Sequence, residues 1–579
     1  MLKFRFRTMV NISILSIVLI LVGCSETHMG GTHNDHGPSA TLFANGAILT
    51  MAGDAPEYAE AVVAESGKIV FVGDKKDAID KFPNAQLHDL AGNTLLPGFV
   101  DPHSHFSMVI NAIGQANVSP PPVGKVESVG DLISELNAYK TSFDIPDGEW
   151  IFAWGYDESQ LADKQHITKH VLDEAFPNNP VYLQHTSGHL GIANSMALAL
   201  GGIDEITPDP EGGKIIRFDG SDEPTGQVQE VAIYFFAGKA IQDFIPKKKA
   251  LFPRAQNYYL GYGVTTAQDG MTDPLNMQFF QEMASSGELV MDLVTVHGMD
   301  IMLSNNLTFG EYNNRLKPQG VKLIADGSPQ GKTAFFTKPY LTDVDGCERD
   351  CVGYPHMNQE NLDALMLRGY KNGFQMFIHG NGDASIDMII KAHERASAAL
   401  NEPLDKDRRT VVIHSQFVRP DQLKIYQDYN LMPSFFTNHA YFFGDVHVEN
   451  LGEQRAHFLS PMKAASELGL VYSNHSDETV TPINPLFSVH TAVNRQTRSG
   501  AVLGYEQKVS AYDALKAVTI NAAHQIFDEQ IKGTIEVGKY ADFAVLDADP
   551  VSIAPEAIEH IQVLTTIKNG EVVFQRPSS

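Results

Sequence analysis

Leu95-Leu96-Pro97-Gly98-Phe99-Val100-Asp101-Pro102-His103-Ser104-His105 decides how this chain is read. An apolar run meets a Pro-Gly kink, resumes as a short strand and ends in two imidazoles two residues apart. Side chains alternate along a strand, so positions i and i+2 share a face and both rings point at one ion. Neutral imidazole is a common ligand for zinc and its neighbours. A lone His-x-His also occurs on solvated strands, so the weight falls on the residues downstream of it.

Beyond His105 the chain alternates short apolar strands with helix-length stretches, the pattern of a parallel βα architecture. Eight strands are expected: Phe99–His103, Val264–Gln268, Leu289–His297, Val321–Asp326, Gln375–His379, Thr410–His414, Leu431–Thr437 and Leu470–Asn474. Eight is the number that a (β/α)8 TIM barrel requires. The stretch 114–253 is too long for one βα connection. It is expected to be an insertion, placed as a cap over the mouth where such barrels carry their loops.

Upstream, residues 41–97 read as short strands with Gly turns, strand-turn-strand over both Thr41–Thr50 and Ala61–Gly73. Residues 531–579 repeat that texture in Gly533–Asp547 and Thr565–Phe574. The two ends are expected to form one small β-sandwich around a barrel domain at 98–530. The fold class is therefore α/β.

The 579 residues carry a formal net charge of −27, which argues against nucleic acid or an anionic membrane surface as a partner. Residues 1–24 read as an export signal. Lys3, Arg5 and Arg7 form a basic region, Met9 to Val22 an apolar one, and Gly23 precedes Cys24. The layout resembles a bacterial lipobox with Cys24 as the lipidated residue, and Ser25 beside it favours an outer membrane facing the periplasm. An uncleaved anchor is the alternative, although the apolar run is shorter than the ~20 residues of a membrane span. Residues 25–40 are a polar, Gly-rich tether. Cys347 and Cys351 remain, and an exported compartment permits a disulfide between them.

Chemistry-bearing residues gather at the expected strand ends. Strand four holds Lys322 in an apolar setting, where an unpaired ammonium is costly. Strands five and six end in His379 and His414, and strand eight leads into Asn474-His475-Ser476-Asp477. A barrel brings its strand ends to one face, so these residues converge.

The ordered set His-x-His, Lys, His, His, Asp resembles the amidohydrolase superfamily. Trp154 to Asp157, His189 to Ser195, Gly263 to Asp269, Lys322 to Ser328 and Gly533 to Asp547 resemble its family 3 branch, typified by N-substituted formamide deformylase. The resemblance implies a centre of two divalent metal ions, most often zinc, with iron or manganese as alternatives. Its ligands would be His103, His105, His379, His414, Asp477 and a CO2-derived carbamate on Lys322. Two such ions bring the pKa of a bridging water near 7 and polarise a carbonyl, so hydroxide attacks without a protein nucleophile. Asp477 would carry the proton to the leaving nitrogen. His189 and His439 are expected against substrate, Asn474 and His475 behind the ligands. The branch more often shows Gly-Ser-Asp where this chain has Asn474 to Asp477, and residues 345–355 also depart from its loop.

The expected function is hydrolysis of a non-peptide C–N bond in a small N-acyl, N-formyl or cyclic amide. Hydrolysis of an ester or phosphoester on the same metals, or a binding lipoprotein without turnover, are the alternatives. Other readings stay open for single residues: a Lys322–Asp326 ion pair with one metal, core roles for His379 and His414, or Asp477 as a helix N-cap. A homodimer is compatible with all of these.

Overall fold

Eight apolar segments, buried along nearly their whole length, pair side by side in chain order as one parallel sheet that curves into a nearly closed barrel. They are Phe99–Asp101, Val264–Asp269, Asp292–His297, Leu316–Ile324, Gln375–Gly380, Val411–His414, Met432–Phe435 and Ser473–Asn474. Every neighbouring pair is parallel. This is a computed structural model, and it describes residues 40–577 except 122, 159–160, 162–164, 186–189, 211–212, 237–246, 305–306 and 345–348.

All eight expected strands are present, with three informative differences. The first ends at Asp101, before Pro102, which has no N–H to give a ladder. His103 and His105 therefore lie in the turn after the strand, and His105 makes an isolated antiparallel bridge to Asp269. The turn, not the pleat, brings the rings together. The fourth strand starts at Leu316 rather than Val321, because its polar residues are paired internally. Lys317 Nζ reaches Asp528 Oδ1 at 2.6 Å, and Gln319 Nε2 donates to Gln375 Oε1 at 2.7 Å. The eighth strand is reduced to Ser473–Asn474.

Residues 41–97 and 543–575 join one eight-stranded sheet. Its path runs Glu571–Gln575, Val563–Lys568, Phe543–Leu546, Thr94–Pro97, Thr41–Leu49, Tyr58–Glu65, Lys68–Gly73, with Gln86–Asp89 paired to Thr41–Leu49. Thr41–Leu49 is one continuous strand rather than strand-turn-strand; the Asn45-Gly46 signal is absorbed as a register shift between Ala44 and Ile48, with Asn45 at φ 66°. The sheet passes straight into the barrel at Gly98, whose N–H donates to Asp542 O at 2.8 Å. A Cβ on Gly98 would stand 2.4 Å from Thr265 Cγ2, so the second barrel strand can approach only a glycine here.

Residues 114–253 contain a third sheet with hydrophobic clusters of its own. Ala116–Asn117, Ile151–Tyr156 and Val181–His185 are parallel, and Leu190–Ala193, Pro224–Glu230 and Gly213–Arg217 extend them antiparallel. Arg498 donates to Pro121 O at 2.6 Å, one of its ties to the barrel.

Candidate metal centre

Five strand ends deliver the central side chains. Gln268 Oε1 stands 2.9 Å from His103 Nδ1, which turns His103 Nε2 inward, 3.1 Å from Lys322 Nζ and 3.5 Å from Asp477 Oδ1. His105 Nε2 is 3.3 Å from the same Asp477 oxygen. On the other side His414 Nε2 faces His379 Nδ1 at 3.1 Å, and the His103 and His414 ring centres are 5.7 Å apart. All six residues expected as ligands thus lie in one cluster.

The backbone is shaped for it. His414 and Asp477 have φ of 69° and 52°, a left-handed conformation uncommon outside glycine that collects at functional sites. Asp477 N–H donates to His103 O at 3.1 Å and His105 N–H to Glu478 O at 2.7 Å. These two bonds lace the turn after strand eight to the turn after strand one.

Burial decides the charge states. It pushes the His379 imidazole down to about 4, helped by nearby Lys322, and His103 and His414 well below their ordinary range. All three are neutral at neutral pH, the form in which an imidazole can bind a metal. Burial brings the Lys322 amine down to about 7, against the opposing pull of Asp477. A large fraction is therefore the free amine, the form that reacts with CO2. For Asp477 burial acts upward, but the His105 contact, and the positive charge that His414 and His103 gain when acid protonates them, prevail and hold its carboxyl well below the usual range.

The donor set fits a divalent cation. Asp477 Oδ1 is buried without a hydrogen bond of good geometry, and its neighbours are the Nε2 atoms of two imidazoles, His103 and His105. The Lys322–Asp326 pair is not formed. Asp326 instead accepts the backbone N–H groups of Asn381, Gly382 and Phe335.

Around the cluster, His475 Nε2 is 3.0 Å from His414 Nδ1. Asn474 touches no ligand: it accepts from Thr437 N–H and donates to Thr437 Oγ1 and Ser488 O, bracing the end of strand seven. His439 is buried, 3.1 Å from His447 Nε2 and packed on Phe436, which in turn covers His475 and His414. His189, Cys24 and Cys347 lie outside the described residues; Cys351 is disulfide-bonded. In the insertion, His185 Nε2 is 2.9 Å from Glu158 Oε2, with Asp157 close by.

Sequence reasoning missed three buried groups. Gln268 orients His103, and only its place in the Gly263–Asp269 motif hinted at it. Glu478 is buried beside Asp477 with its carboxyl pushed up to about 8, mainly by desolvation, and receives the Tyr258 hydroxyl at 3.4 Å. Asp101, pushed up to about 6 by burial, accepts the Ser476 hydroxyl at 2.7 Å.

A parallel barrel with histidines, a lysine and a carboxylate converging at its strand ends defines a barrel hydrolase of the metal-dependent kind. The chain belongs to the amidohydrolase family, whose model matches residues 86–574. It is 30% identical over 532 residues to the N-substituted formamide deformylase of Arthrobacter pascens, covering 90% of this chain and 96% of that one. Two solved metal-dependent hydrolases share the fold. That from Pyrococcus furiosus superposes with a TM-score of 0.69 at 24% identity, over 89% of this chain and all of its own. That from Pyrococcus horikoshii gives 0.70 at 23%, over 89% and 99%. The protein is a hydrolase acting on C–N bonds.

Proposed function

We propose that the protein hydrolyses the C–N bond of a small non-peptide amide, with an N-formyl amine as the first substrate class to test. The observation that carries this reading is Asp477 Oδ1, buried and within 3.5 Å of both strand-one imidazoles while Lys322 points at the same place. His103, His105 and Asp477 would hold one divalent ion, His379 and His414 a second, and a carbamate on Lys322 would join them. Ions bound there supply Lewis-acid polarisation of a carbonyl and acidify water.

The chain's own residues do the rest. Asp477, ionised at neutral pH, takes a proton from the attacking water at Oδ1 and passes it to the leaving nitrogen. Gln268 fixes the ring of His103. The inserted sheet acts as a lid that excludes bulk water, with His189 and His439 against the substrate. The formyl preference rests on the activity for which the Arthrobacter relative is named. Export through residues 1–24 and lipidation at Cys24 would place the enzyme at the cell envelope.

Metal content per chain, measured on protein beginning after Cys24, tests the centre beside a panel of formamides, cyclic amides and esters. About two divalent ions, amide turnover and loss of metal in Lys322→Ala are expected. One ion in both proteins would remove the bridging lysine. No metal after supplementation, or turnover of esters alone, would overturn the proposal.

A further inference from the structure

A chain of buried hydrogen bonds runs from the backbone of strand one, through strand eight, to His414. Gln525 Nε2 donates to Pro102 O at 2.8 Å. A carbonyl can only accept, so this contact fixes the orientation of the Gln525 amide and turns its Oε1 toward Ser473 Oγ, 2.5 Å away. An amide oxygen also only accepts, so the single Ser473 proton goes there. Ser434 Oγ lies 2.8 Å from Ser473 Oγ and must then be the donor between them. With its one proton spent, Ser434 accepts from His475 Nδ1 at 3.0 Å. A His475 ring with its one proton on Nδ1 presents a lone pair on Nε2, 3.0 Å from His414 Nδ1. His414 must donate there, which leaves its Nε2 unprotonated.

The opposite ring does not fix its own proton: His379 Nε2 stands 3.2 Å from Gly327 O and 2.9 Å from Asn381 Nδ2, a donor. Its Nδ1 faces His414 Nε2 at 3.1 Å, an approach that suits a shared proton or a bound cation.

We infer that Gln525, Ser473, Ser434 and His475 form a proton-ordered relay that fixes the His414 tautomer with Nε2 free for metal. His475 is the positioning residue that joins the relay to the site. The inference rests on the metal-centre reading above.

The test uses the metal-free protein and its reloading with zinc. In 15N spectra of histidine-labelled, metal-free parent, His414, assigned by difference with His414→Gln, should carry its proton on Nδ1. A proton on Nε2 overturns the inference however the variants behave. In competitive zinc titrations Ser473→Ala should bind about 10–100-fold more weakly at one site. The Ser434 proton then has only His475 Nδ1 to go to, and the tautomers of both histidines reverse. His475→Leu, which deletes the acceptor, should lose as much, whereas His475→Gln keeps an acceptor near the Nε2 position and should restore affinity to within about threefold. Ser473→Ala that melts like the parent and binds zinc within about twofold of it would also overturn the relay. A parent that binds no zinc but shows His414 protonated on Nδ1 would sink the metal reading while leaving the relay intact.

Discussion

Asp477 combines two demands on one carboxylate: it must stay ionised in a buried place, and it must be able to take a proton. The neighbouring imidazoles satisfy the first, and the uncommitted Oδ1 the second. Asp477→Asn is therefore expected to lower kcat by about 10²–10⁴ at saturating metal with a much smaller change in KM, as steady-state kinetics on a formamide would show. Equal activity would return Asp477 to a structural role. The candidate ligands were legible in the sequence because each histidine closes or closely follows an apolar run. Gln268, Ser434 and Gln525 were not, since a polar side chain inside a strand or helix gives no hint of which distant partner satisfies it. Lys322 lies between these cases: its apolar setting marked it as costly, but its neighbour proved to be His103, not Asp326.

At the scale of elements, the strands were readable from their apolar runs, and their ends were misplaced where polar residues pair internally. Lys317 in strand four hid the true start of that strand. It belongs to a buried ionic network that spans barrel and terminal sheet. Asp292 of strand three accepts from Lys532 Nζ at 2.6 Å and Lys568 Nζ at 2.8 Å, Lys568 also reaches Asp542 at 2.6 Å, and Lys317 pairs with Asp528. Such partners are far apart in sequence, so no local pattern reveals them. Removing one charge leaves another uncompensated in a low-dielectric interior. Lys532→Met should destabilise the protein by about 3–5 kcal/mol, read as a lowered denaturation midpoint, with the metal content of the surviving folded protein unchanged. A midpoint equal to the parent's would show the network to be dispensable.

For the whole molecule, the buried histidines set the response to acid. His379, His475 and His447 titrate near 4, 3 and 3 when folded, and His103, His414 and His439 well below 6.5. A depressed histidine contributes stability that is full above its unfolded pKa of about 6.5 and is lost as pH falls toward the folded value. Glu478, Asp101 and Asp326, raised to about 8, 6 and 6, act in the opposite sense, since their contribution is full at low pH and lost as pH rises. Six histidines outweigh three carboxyls. The melting temperature of the metal-free protein should fall as pH is lowered from about 6.5 to 4, and a flat or rising profile would refute that balance.

The pairing of Thr94–Pro97 with Phe543–Leu546 also has a consequence in time. A ribosome adding about 5–20 residues per second leaves roughly 20 to 90 s between the emergence of these two strands. Throughout that interval the segment leading to His103 has only Thr41–Leu49 beside it and lacks its second sheet neighbour, and the turn carrying His103 and His105 cannot be braced by Glu478 and Asp477 until strand eight has appeared. The cluster is complete only once Asp477 has appeared, so loading with metal must follow the synthesis of strand eight.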